Sequence, residues 1–311
     1  MAAPVRTEGR SRRGSLIVSL VLALAAVPLL GLAVWGLTRS SGDVPPAASP
    51  PAVSPPAPPS APAPRPTPVA PPPVVVPTTP VQPMGSCPEG MVYLAGGTFT
   101  MGSPAGEGQD SERPQHQVTL SPFCLGRTEV TVAEWTRSGR RPGHRESYCN
   151  YGRRDGQDHP MNCIDWTEAD GYCRSLGQRL PTEAEWEFAA SVGGTRRYPW
   201  GDTAPSNELC WSGVNRRTDT CAVGSFPAGN TPAGLSDLSG NVWEWVSDWY
   251  EPYVSNDQTN PSGSNSGNYR VHRGGSWLIS VPARVRARYR DGVGPSFRNG
   301  VLGVRCASGP R

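Results

Sequence analysis

The sequence predicts an α+β fold of low regular content, with short helices and scattered strands set among long ordered loops. Three observations lead there. Only three segments combine a helix-start signal with apolar residues at helical spacing, and all three are short. The strand-like runs are brief and are separated by turns rich in Gly, Asn and Ser. Eight cysteines and one oxygen-rich turn, Asp237 to Glu244, supply the pins that loops of this kind need.

Composition divides the 311 residues before any element is placed. Residues 1–15 are polar and Arg-rich, and 16–37 form an apolar run. At about 1.5 Å per residue, such a run spans a hydrocarbon core of roughly 30 Å. The arginines ahead of it put the N-terminus in the cytoplasm and everything after it outside, as a signal anchor. A cleaved signal peptide is the competing reading, although its apolar region is usually only about 7–15 residues and no small-x-small site follows Trp35-Gly36-Leu37. Residues 38–86 are mostly Pro, Ala, Val, Ser and Thr, a linker that cannot bury a core and favours polyproline II. The globular domain is expected over 87–311, beyond the membrane, at the periplasmic or cell-surface side.

The overall charge of +3 hides a nearly neutral domain. Six arginines, Arg6, Arg10, Arg12, Arg13, Arg39 and Arg65, precede Met84, which leaves 23 Arg against 24 Asp plus Glu after it. That balance gives no electrostatic reason for nucleic-acid binding. The absence of lysine excludes Schiff-base and P-loop chemistry. All eight cysteines lie at or beyond Cys87 and no CxxC pair occurs, so the set reads as up to four disulfides in an oxidising compartment.

Within the domain, Gly90 to Gly102 reads as a hairpin about Ala95-Gly96-Gly97, and Val118 to Cys124 as a further strand. Thr131 with Glu134 is a capping box that opens a helix with Val132 and Trp135 on its inner face. A polar loop follows from Gly139 to Met161, held by Cys149 and Cys163. Asp165 to Leu176 is a helix with Trp166, Ala169, Cys173 and Leu176 on one face and Gly177 as its stop. Pro181 and a second capping box, Thr182 with Glu185, begin the third, where Trp186 and Ala190 share a face. Thereafter loops dominate, including a Cys210–Cys221 excursion. Arg284 to Arg290 alternates Arg with Val285, Ala287 and Tyr289, a strand pattern with one charged face.

Candidate chemistry is sparse. His116, His144, His159 and His272 show no HxD or HxE spacing of the kind a non-haem iron site needs, and His116 reads as a structural hydrogen-bonding residue. The row Arg284, Arg286, Arg288 and Arg290 suits an anionic ligand, although such a row more often pairs with acidic neighbours such as those of the TEAEWE helix. Exposed tryptophans could stack on sugar or peptide.

Taken together, GMVYLAGGTFTMGS, ERPQHQVTL, RTEVTVAEW, HPMNCIDWTEADGYC, LPTEAEWEFAA, YPWGD, GLSDLSGNVWEWVSDW, HRGGSW and GVLGVRCA resemble, in the same order, the formylglycine-generating enzyme (sulfatase-modifying factor) family over residues 88–307. The resemblance implies that family's loop-rich fold, related to C-type lectins. It also implies a copper-binding cysteine pair, five residues apart, just after the GGS string; the positions counted from Ser276 are Ile279 and Arg284. Neither side chain binds copper, so no copper and no formylglycine formation are expected. Ser276, Trp277, Arg284 and Arg286 mark the corresponding groove.

The resemblance further implies a calcium site at Asp237, Gly240, Val242 and Glu244, and a second at Asn207, Glu208 and Asp219. It pairs Cys173 with Cys306; the local pairs expected are Cys87–Cys124, Cys149–Cys163 and Cys210–Cys221. The reading is a membrane-anchored, non-catalytic binding or scaffolding module at the cell envelope, with a peptide, protein or glycan ligand. Its alternatives are an oxidoreductase of the same family working through other metal ligands, and a lectin-like receptor.

Overall fold

Three small sheets and three short helices carry the domain in a computed structural model, which describes residues 85–311. The expected anchor at 16–37 and the linker lie outside the described residues. Among the described residues no helix is long and apolar enough to cross a membrane.

Ten strands, numbered along the chain, build the sheets. The first sheet joins the two ends of the domain. Its strands β1 (Met91–Leu94), β4 (Phe123–Gly126) and β10 (Ala307–Ser308) run in the order β1-β4-β10, with Val92 opposite Leu125 and Ala307 on the other edge. The second contains β2 (Gly97–Met101), β3 (His116–Leu120) and β6 (Gln258–Thr259), with Phe99 opposite Val118. The expected hairpin at 90–102 is therefore not one: β1 and β2 are both strands, but each pairs with a different partner. The single strand expected at 118–124 is likewise two, β3 and β4, divided at Ser121-Pro122.

The third sheet, in the order β8-β7-β5-β9, contains β8 (Arg290–Val293), β7 (Arg270–Arg273), β5 (Trp243–Trp249) and β9 (Leu302–Val304). Alternation along β5 sends Trp243 and Trp245 to one face and Glu244 and Val246 to the other. Trp243 and Trp245 enter a core with Trp135, Tyr172, Tyr289, Leu302 and Val304. Val246 enters a second core with Val271, Trp186, Phe99 and Phe123. The strand expected at 284–290 is absent: Pro282–Val285 is a 3-10 turn and β8 begins only at Arg290.

The helices form where their caps predict. Thr131, Asp165 and Thr182 each accept a hydrogen bond from the backbone three residues on, and Glu134, Glu168 and Glu185 reciprocate, opening α1 (Val132–Arg137), α2 (Trp166–Ser175) and α3 (Glu183–Ala190). Trp135 of α1 stacks on Tyr172 of α2 with centroids 4.8 Å apart. Leu176, expected on the inner face of α2, is exposed just past its end.

All four expected disulfides are present: Cys87–Cys124, Cys149–Cys163, Cys173–Cys306 and Cys210–Cys221. Cys173–Cys306 closes 133 residues and ties α2 to the start of β10, the step that locks the C-terminus into the first sheet.

Between the layers lies a set of buried ion pairs. Arg290 Nε and Nη2 donate to the two oxygens of Glu183 at 2.7 and 2.8 Å, and Arg273 Nη2 donates to Glu187 at 2.5 Å. Arg286 Nη1 and Nη2 hold Glu112 at 3.0 and 2.8 Å. Guanidinium forks satisfy both carboxylate oxygens at once, which is what makes buried charge tolerable.

Candidate functional site

The turn from Gly234 to Glu244 reverses the chain through left-handed backbone at Asp237 (φ 59°), Gly240 (φ 85°) and Asn241 (φ 53°). Gly240 is required, because a Cβ there would lie 2.5 Å from the carbonyl oxygen of Cys210. Its N–H donates to Gly274 and that of Asn241 to Cys210, so the turn is stitched both to the GGS loop and to the 210–221 excursion. Val242 is fully buried.

Glu244 occupies a different role from the one expected. Arg305 Nη2 donates to its Oε1 at 2.8 Å, while Arg305 Nε (3.0 Å) and Trp186 Nε1 (2.8 Å) donate to its Oε2. With hydrogen bonds on both oxygens, Glu244 is the counter-ion of Arg305. Asp237 stands close by and accepts the Gly224 N–H at 2.6 Å. Burial first, and Glu244 after it, push its carboxyl above the ordinary range.

A third carboxyl, Glu129 of the RTEVTVAEW string, completes the cluster. It is fully buried, and its Oε2 accepts from Asn241 Nδ2 at 3.3 Å, whereas Oε1 has no partner. Burial, then Asp237 and Glu244, raise it well above its usual value. Three carboxyls facing one guanidinium leave a deficit of positive charge, and the unpartnered Oε1 is a hard oxygen of the type calcium takes. Glu129 and Asp237 are the carboxyls of this cluster that have no salt bridge of their own, while Glu244 is paired with Arg305. By side chains alone, no three His, Cys, Asp or Glu among the described residues are grouped to hold a metal ion.

The second expected calcium set is not brought together. Asp219 is paired with Arg153, Glu208 Oε2 accepts the Ser206 N–H at 2.7 Å, and Asn207 is exposed. The Cys210–Cys221 bridge carries Asp219 toward the Asn150, Arg153 and His159 loop instead, where Asn150 and His159 both meet Thr220.

Around the GGS loop the expected groove residues separate. Ser276 is 1% exposed with its Oγ unpartnered, so its hydroxyl is not presented to solvent. Trp277 is half-buried; its Nε1 donates to Gly300 and its N–H to Asn241. Arg284 is exposed, on the 3-10 turn. Arg286 is withdrawn into the ion pair with Glu112 and cannot line a groove. Apart from Arg284, the Arg row serves buried acids and carbonyls: Arg288 donates to Gly194, and Arg290 reaches Glu183 of the TEAEWE helix. Ile279 packs against the cluster of Trp211, Tyr198 and Val285, while Leu278 and Val281 are exposed. A cavity of about 540 Å³ lies elsewhere, between Trp166, Arg179, Glu185 and Asn260.

The histidines do not converge. His116 Nδ1 contacts the Pro114 carbonyl at 3.2 Å and its ring meets Tyr253 edge-on, a structural role. His144 pairs with Tyr148, His159 with Thr220, and His272 packs against Trp243. Asp248, near the end of the GLSDLSGNVWEWVSDW string, is buried where it accepts from Glu183 N and Ser247 Oγ; burial and then Glu183 push it up to about 7.

Residues 77–309 of the sequence match the family of the sulfatase-modifying factor enzyme 1-like domain. The chain belongs to the sulfatase-modifying factor family. Among its relatives, the formylglycine-generating enzyme of Streptomyces coelicolor is 35% identical, over 70% of this chain and 89% of the relative. The inactive C-alpha-formylglycine-generating enzyme 2 of Mus musculus is 31% identical over 70% and 85%. The hercynine oxygenase of Mycolicibacterium smegmatis is 34% identical, with 70% of this chain covering only 60% of that protein. Solved structures of this shape include Treponema denticola variable protein 1 (TM-score 0.61, 25% identity, 71% of this chain and 95% of that one). PvdO from Pseudomonas aeruginosa is similar as well (TM-score 0.59, 28% identity, 70% and 94%). The sulfatase-modifying factor family thus includes enzymes and at least one member named inactive, which leaves the activity to be argued from this chain's own residues.

Proposed function

We propose that this sulfatase-modifying factor domain works as a non-catalytic binding or scaffolding module on the outer side of a membrane. One observation carries the reading. Every cysteine of the sequence is in a disulfide, and the two positions that resemblance assigns to the copper thiols are Ile279 and Arg284. Thiolate is both the soft ligand for copper and the nucleophile of thiol–disulfide exchange. Ile279 is apolar and Arg284 is cationic, so neither role has a bearer.

The cluster of Asp237, Glu129, Glu244 and Arg305 fits a supporting task. In this proposal calcium, held by Asp237, Glu129 and carbonyls of the turn, offsets the surplus carboxylate charge and fixes the GGS loop through the Gly240-to-Gly274 hydrogen bond. The four disulfides support an oxidising, extracytoplasmic location, with the apolar run at 16–37 as the tether.

The test is direct. The protein is incubated, with and without Cu(I), with a Cys-x-Pro-x-Arg peptide, and the peptide is followed by mass spectrometry. No conversion of cysteine to formylglycine is expected in either arm; turnover in the copper arm overturns the proposal.

A further inference from the structure

Beside the GGS loop, on the Trp243 face of the third sheet, a cavity of about 280 Å³ opens among Trp243, His272, Asp291, Val293, Phe297 and Leu302. Its walls follow from strand register. His272 of β7 lies directly opposite Asp291 of β8, and paired residues on antiparallel strands project to the same face. Trp243 reaches that face from β5 and meets the His272 ring edge-on, with centroids 4.8 Å apart and planes at 82°. Phe297, 43% exposed, stands at the mouth.

The cavity is otherwise apolar, yet it contains one carboxylate and no cation. Asp291 has no arginine within ion-pair distance among the described residues; its Oδ1 accepts only the adjacent Gly292 N–H, at 2.8 Å. Arg270, next along the same face, is turned away between Trp166 and Trp249, with its guanidinium 3.7 and 3.5 Å from their ring centroids. His272 adds no charge, because burial lowers it to about 4 and leaves the ring neutral at physiological pH, with Nδ1 buried and unpartnered. Such a lining repels anions. It favours a compact cation, through the Asp291 carboxylate with aromatic side chains around it.

We propose that this cavity binds the head of an alkylammonium ion, such as a quaternary ammonium, between Asp291 and the aromatic walls of Trp243, His272 and Phe297. The site does not depend on the domain being non-catalytic, since none of these residues stands at a copper-thiol position. Its volume admits a small methylated ammonium with part of its stem and is too small for an oligosaccharide.

The probe is choline, titrated into the full-length chain by calorimetry, with uncharged 3,3-dimethylbutanol as the control of equal shape. Saturable choline binding is expected, at least about tenfold tighter than the neutral isostere. Asp291→Asn should weaken choline by about tenfold and leave the isostere unchanged, at an unaltered melting temperature. Phe297→Ala, at an exposed position, should weaken both ligands and serves if the first variant fails to fold. Equal affinity for the two ligands, choline binding unaffected by Asp291→Asn, or no saturation up to about 100 mM would each overturn the assignment.

Discussion

Asp248→Asn makes a quantitative test of how this domain tolerates its buried acids. In the native protein the carboxyl sits at about 7 against a usual 3.8, raised by burial and then by Glu183. Between about pH 4 and pH 7 the native state therefore holds a proton that the unfolded chain has released. Stability contributed by this group is fully present below about pH 4 and is lost as pH rises through 7. A gap of about three pH units at about 1.4 kcal/mol each corresponds to roughly 4 kcal/mol over the whole window, and about 2 kcal/mol between pH 5.5 and 8. Asparagine keeps an oxygen to accept from Glu183 N and Ser247 Oγ but does not titrate. Urea unfolding, followed by tryptophan fluorescence at several pH values, reads the difference between wild type and variant, which cancels every other titrating group. Relative to the variant, wild type should lose about 2 kcal/mol from pH 5.5 to 8. A difference independent of pH, or one that grows in favour of wild type with rising pH, would refute the assignment of a buried, protonated Asp248.

Three further outcomes follow from the same geometry. EDTA should lower the melting temperature, and Glu129→Gln should remove that sensitivity; an EDTA-insensitive wild type would leave the Asp237 cluster without its cation. Glu244→Ala should destabilise by about 3–5 kcal/mol with or without calcium, because it strands the buried Arg305 guanidinium, and equilibrium unfolding in both conditions checks this. Replacing Cys173 and Cys306 together with alanine should cost up to about 5 kcal/mol by the chain-entropy account of a long closed loop. Peptide mapping without reductant, followed by thermal melts, measures it.

Helices and disulfides were legible in the sequence, because their signals are local or discrete. Thr131, Asp165 and Thr182 announce α1, α2 and α3 within one turn each, and the number of cysteines announces disulfides, while the pairing of Cys173 with Cys306, 133 residues apart, was implied by the family resemblance. Strands were read less well. The apolar runs at 91–94 and 97–101 lie side by side in the chain and look like a hairpin, but the Gly96 turn sends them to different sheets. The Arg284–Arg290 alternation has a strand's period, yet long-range pairing with Glu112 and Glu183 dictates where those arginines go.

By itself the sequence determined the family, the missing thiols, the capped helices and the cysteine set, since each depends on which residues are present and how closely they follow one another. Tertiary structure alone decided what the charges do. Glu244 lies 61 residues from Arg305 and Glu129 lies 112 from Asn241, and only folding reveals that the first is spent on an ion pair while the second keeps an orphaned oxygen. The same holds for His272 and Asp291, which become neighbours through the register of β7 and β8. Charge in a protein interior is paired by proximity in space, and spacing along the chain does not encode that proximity.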